Sequence, residues 1–139
     1  MTTVKIAARD AVTGPVLEIV GDLDHGTAHE LREHLARTAL RPGQRLVLDL
    51  SRLQFCDSSG ITALIAARNH AAAARADVAL AGVPDNTLRI LRIVGLDQVF
   101  ALHPDARSAI DAHSTPTPPG TPVSPGLVGR DAGPPGDRV

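Results

Sequence analysis

The stretch from Leu46 to Ala67, LVLDLSRLQFCDSSGITALIAA, decides how the rest of the chain is read. Leu46, Val47, Leu48 and Leu50 form an apolar run interrupted only by Asp49. A strand with one wet face would alternate, so this run predicts a strand covered on both faces, inside a sheet. Ser51, Gln54, Asp57, Ser58, Ser59 and Gly60 are turn and cap types, after which Ile61, Leu64, Ile65 and a run of alanines take up helical spacing. The local order is strand, loop, helix. Asp57, Ser58 and Ser59 are all good N-cap types, so the helix is expected to begin at one of them, with one serine capping and the other left spare.

Upstream, Val4, Ile6 and Ala8 alternate with Lys5, Ala7 and Arg9, and Val16 to Val20 gives a second strand across a turn at Asp10 to Pro15, which predicts a hairpin. Thr27 and Glu30 have the spacing of a capping box. They open a helix whose Ala28, Leu31, Leu35 and Ala39 share one face, with Glu30, Arg32, Glu33, His34 and Arg37 outward. Arg41, Pro42 and Gly43 stop it. Downstream of the second helix, expected over about 59–75, residues 77–81 read as a short strand. Pro84 and Asp85 open a helix that Gly95 ends, Gln98 to Leu102 suggests a last strand, and Pro104 starts a final short helix. Strands separated by helices favour parallel crossovers, while the opening hairpin is antiparallel. The expected class is α/β, a single domain over residues 1–113 with a mixed sheet covered by helices.

From residue 114 onward the composition changes. The last 26 residues hold seven of the 11 prolines and five of the 12 glycines, with no periodic apolar face, so 114–139 reads as a disordered tail. Pro116, Pro119, Pro122 and Pro125 recur every third residue and would line one edge of a polyproline II segment.

A chain of 139 residues with 43% hydrophobic residues builds one ordinary core and hardly two. A net charge of -1 and only two aromatic residues, Phe55 and Phe100, support neither phosphate neutralisation nor base stacking, so direct nucleic-acid binding is not expected. The single cysteine, Cys56, rules out an internal disulfide, and no apolar run approaches the roughly 20 residues needed to span a bilayer. A cytoplasmic protein without cofactor is the expectation.

Candidate chemistry concentrates at the helix start. A serine nucleophile on an elbow needs G-x-S-x-G, and Asp57-Ser58-Ser59-Gly60 lacks the first glycine. No phosphate-cradling glycine loop occurs. His25 and His29 lie four apart near Asp22 and Asp24, but spacing fixes no third strong metal ligand. Cys56 reads as a small buried side chain, though a helix N-terminus nearby would lower its pKa. What is left is capping alone, or a spare serine exposed to a kinase. A phosphoryl group there would add about two negative charges next to Asp57 and a helix N-terminus, changing the surface while leaving the fold intact.

Four segments together resemble the STAS-domain anti-sigma factor antagonists of bacteria. They are Gly21-Asp22-Leu23-Asp24 with Thr27, Leu48-Asp49-Leu50 with Leu53, Phe55-Cys56-Asp57-Ser58-Ser59-Gly60-Ile61, and Leu91 to Leu96. The resemblance covers about Val4 to Ala112. It implies that Ser58 is the phosphoacceptor of an anti-sigma factor that is itself a serine kinase, and that a phosphoserine phosphatase resets it. The unphosphorylated protein would bind the kinase and free a sigma factor, with no catalysis of its own. The implied contact surface comprises Asp24, Asp57, Ser58, Ser59, Gly60, Ile61 and Thr62. Thr62 stands where many members of that family carry glycine, which would alter the fit or supply a second hydroxyl acceptor. STAS-like domains also serve as scaffold subunits of stressosome type or as accessory subunits of lipid-transport ATPases, and such a role would be indifferent to Ser58.

Overall fold

The protein, described here from a computed structural model, is resolved into structure over residues 3–114. The polyproline spacing and the tail reading lie outside the described residues, except that Ser114 closes the last helix. In chain order the elements are β1 (Val4–Ala11), β2 (Gly14–Leu23), α1 (Ala28–Ala36), β3 (Arg45–Asp49), β4 (Leu53–Cys56), α2 (Ser58–Ala73), β5 (Asp77–Ala81), α3 (Asp85–Ile93), β6 (Ala101–His103) and α4 (Ala106–Ser114). A turn of 3-10 helix spans Leu96–Gln98.

The sheet runs β1-β2-β3-β5-β6, and β4 pairs with the far end of β2. Only the β1–β2 hairpin is antiparallel among these pairings. The mixed α/β domain expected from the spacing is what forms. The apolar run of β3 is covered on both faces as it predicts. Leu46 and Leu48 join Leu17, Ile19 and Leu80 in the larger core, against Leu31 and Leu35 of α1, Leu64 of α2 and Leu91 of α3. Val47 points into a smaller core of Val16, Ala79 and Ala81, closed by Ala106 and Ala109 of α4. Alanines on both sides let that short helix sit close to the sheet.

At the start of the central strand β3, Arg45 ties α4 down. Its guanidinium pairs with Asp77 at 2.6 Å, donates to the Ala109 carbonyl at 3.3 Å and lies 3.3 Å from His103 Nε2. Burial, and then the Arg45 charge, hold the His103 imidazole below its ordinary range.

Several local expectations give way to tertiary contacts. Residues 53–56, read as loop, form β4, because a register shift between Gly21 and Asp22 lets the end of β2 accept a second parallel neighbour. The capping box does not form. Thr27 Oγ1 turns back into the loop, donating to the Asp22 carbonyl at 2.7 Å and accepting the Asp24 N–H at 2.9 Å. Helix α1 ends at Ala36, so Ala39 lies beyond it and is exposed, and His34 is half-buried rather than outward. The segment expected as the last strand begins as the 3-10 turn, and the strand itself starts only at Ala101.

Candidate functional site

The ends of β2 and β4 deliver two loops to the N-terminus of α2. Asp57 is the N-cap residue: its Oδ1 accepts the N–H groups of Ser59 and Gly60 at 2.8 and 3.1 Å. Its other oxygen, Oδ2, accepts the His25 N–H at 3.3 Å, joining the β2–α1 loop to the helix start. Its own N–H donates to the Leu23 carbonyl at 3.3 Å. The aspartate therefore does the work assigned to a serine, and neither serine caps. Ser58 and Ser59 become the first two helical residues, and no described side chain hydrogen-bonds to either hydroxyl. Ser58 is exposed and Ser59 half-buried.

Asp57→Ala removes the cap and leaves His25 without its acceptor, so a loss of about 1.5 kcal/mol is expected in urea denaturation. An unchanged midpoint would mean that a serine hydroxyl takes over the cap.

The other residues of the expected surface divide into supports and exposed groups. Asp24 is only 8% exposed, and its Oδ1 accepts the Gly26 N–H at 2.9 Å, with Thr27 Oγ1 at 3.2 Å. Gly60 and Ile61 are buried beneath the serines. A Cβ on Gly60 would stand 2.4 Å from the Leu23 carbonyl oxygen and 2.6 Å from Cys56 Sγ, so only glycine lets the helix seat this closely. Thr62 is exposed, and its hydroxyl donates to the Ser58 carbonyl at 2.9 Å, one turn back. Asp57, Ser58, Ser59 and Thr62 thus share one accessible surface, with Asp24, Gly60 and Ile61 shaping it from below. Sequence reasoning missed Leu23 and His25, whose backbone groups fix the cap from 32 or more residues away; no local pattern signals that pairing.

Among the described residues no group of three or more His, Cys, Asp or Glu side chains is placed to hold a metal ion. Cys56 is buried, its Sγ 3.7 Å from the Asp57 carbonyl, and burial together with the Asp57 charge pushes the thiol pKa up to about 12. The helix N-terminus does not win over desolvation there. Among the described residues no helix is long and apolar enough to cross a membrane.

The family described as Mlab, STAS domain, matches residues 6–104. The chain belongs to the STAS-domain family. A STAS-domain-containing protein of Pseudomonas aeruginosa is 31% identical over 86 residues, covering 62% of this chain and 84% of that protein. The anti-sigma-B factor antagonist of Listeria monocytogenes is 25% identical over 84 residues, 60% of this chain and 74% of its own length. Among solved structures, the STAS fold here superposes on the unphosphorylated anti-sigma factor antagonist SpoIIAA with a TM-score of 0.65 at 18% identity, covering 78% of this chain and 95% of that one. The Bacillus SpoIIAA has also been solved in its phosphorylated form. The fold of this STAS domain is thus one that solved anti-sigma factor antagonists share.

Proposed function

We propose that the protein is an anti-sigma factor antagonist whose unphosphorylated form binds an anti-sigma factor serine kinase and so frees a sigma factor in the cytoplasm. Phosphorylation at Ser58 ends that binding, and a phosphoserine phosphatase restores it. One observation carries the reading: Asp57 caps α2 by itself, which leaves the Ser58 hydroxyl exposed and uncommitted at the first helical position. A hydroxyl needed as a cap would be withdrawn from a kinase; this one is not.

The electrostatics support a change of surface without a change of fold. A phosphoryl group at the start of α2 meets the positive end of the helix, which favours it, while Asp57 one residue earlier repels it. The fold loses little, and the outer face gains about two negative charges in the middle of the contact surface.

Ser58→Asp is expected to weaken binding to the anti-sigma kinase at least tenfold, on the order of 1.4 kcal/mol. The melting temperature should move by no more than about 2 °C, as for a surface substitution. Calorimetric titration and a thermal scan measure both. Assembly that ignores Ser58→Asp would replace this reading with a scaffold or accessory-subunit role. Phosphopeptide mass spectrometry after incubation with the kinase identifies the acceptor, and Thr62 rather than Ser58 carrying the phosphate would reassign the switch.

A further inference from the structure

Ser58, Ile61, Thr62 and Ile65 succeed one another at i, i+3, i+4 and i+7 along α2 and form one wall of a surface groove of about 340 Å³. Ile90 and Val94 at the end of α3, with Leu96, form the other. Among the described residues no ionisable side chain lines the groove, and Val94 at 56% exposure continues into Ile93 at 76%. On its loop side Ser58 adjoins Asp57, so the serine stands where a polar surface meets an apolar one.

We propose that this groove seats an apolar side chain of the same anti-sigma kinase that contacts Ser58, an inference that rests on the partner-switching reading above. Continuity selects that occupant. Ser58 is part of the groove wall, so a protein that covers its hydroxyl reaches over the groove as well. The lining selects the chemistry: a charged occupant would lose its hydration with nothing to replace it, whereas an aliphatic one gains by leaving water. An apolar anchor in a pocket, surrounded by polar contacts, is the usual centre of a specific interface.

This arrangement gives phosphorylation a second way to act. A phosphoryl group on Ser58 lies on the rim of the groove, and seating the anchor would strip water from a dianion that no cation in the groove compensates. The seat and the phosphate exclude one another even before partner charges are counted.

The test titrates the full chain calorimetrically with the anti-sigma kinases of the same cell, each purified and tried singly. Val94→Glu is expected to weaken binding at least about tenfold and Val94→Thr, which keeps the shape, about threefold, neither changing the melting temperature. Val12→Glu, at a valine 87% exposed in the hairpin turn at the other end of β2, is expected to bind as wild type. If Val94→Glu retains wild-type affinity while Ser58→Asp loses it, the groove proposal is overturned and the switch stands. Binding by none of the kinases overturns both. Should Val94→Glu lower the melting temperature, the Val94→Thr affinity decides. Self-association of the wild-type chain in sedimentation, abolished by Val94→Glu, would assign the groove to a second copy and overturn the proposal.

Discussion

Gly60→Ala is expected to destabilise the domain by about 3 kcal/mol, although alanine is the better helix former by roughly 1 kcal/mol in an open helix. The new Cβ would meet the Leu23 carbonyl oxygen at 2.4 Å and Cys56 Sγ at 2.6 Å, with Leu23 Cγ at 3.2 Å. The first of these is backbone, held in place because the same carbonyl accepts the Asp57 N–H. The second belongs to a buried side chain. Neither is the free end of a flexible group, so α2 has to lift away from β2 and β4. That movement opens the Asp57 cap and shifts Ser58 together with the groove beside it. A drop of roughly 10 °C in melting temperature follows from the stability loss for a domain of this size. Affinity for the anti-sigma kinase is expected to fall in parallel, measured well below the new transition. A melting temperature equal to or above wild type, which propensity alone would give, would show that the helix start relaxes without cost.

The contrast between Gly60 and its surroundings marks where the sequence was legible. The β3–α2 unit could be read because its signals are local: the run of Leu46, Val47, Leu48 and Leu50 is apolar on both strand faces, and three cap-type residues precede a helical repeat. The local count left one serine spare without saying which, and only the resemblance implied Ser58; in the structure both hydroxyls are spared, because Asp57 caps. Which residue caps did not follow, because Asp57 wins through a bond to His25, 32 residues away. The Thr27–Glu30 pattern failed for a related reason. Its hydroxyl oxygen accepts the Asp24 N–H in place of the Glu30 N–H, while its proton goes to the Asp22 carbonyl at the bulged end of β2. Strand β4 was illegible because it is four residues long and buries Leu53 and Cys56 while leaving Gln54 and Phe55 out, an i, i+3 spacing that departs from a strand's alternation. The groove is the furthest from local reading. Its two walls are about thirty positions apart in sequence, and each taken alone looks like an ordinary amphipathic stripe.

Between pH 9 and pH 12 the domain is expected to lose stability steeply, and one thiol accounts for the loss. In the unfolded chain Cys56 ionises near 9.0; in the fold, burial first and the Asp57 carboxylate second push its pKa up to about 12. Because the folded pKa is the higher, the folded state keeps a proton that the unfolded state releases, so the contribution is complete below pH 9 and drains away as the pH rises toward 12. At about 1.36 kcal/mol per pH unit the full difference is on the order of 4 kcal/mol. The chain is well suited to the measurement. It contains no tyrosine, and Lys5 is its one lysine, so little else among its side chains titrates in that window. Urea denaturation of the wild type at pH 8 and pH 10.5 is expected to show a fall of about 2 kcal/mol. Cys56→Ala is expected to be less stable at pH 8, through the lost packing, yet nearly flat between the two pH values. The same burial predicts that the thiol of the folded protein resists alkylation at pH 8 and reacts only through unfolding. If the wild type is as flat as Cys56→Ala, the thiol is not desolvated as its position beneath Gly60 requires, and the close seating of α2 on β4, which also sets Ser58 at the surface, would have to be revised.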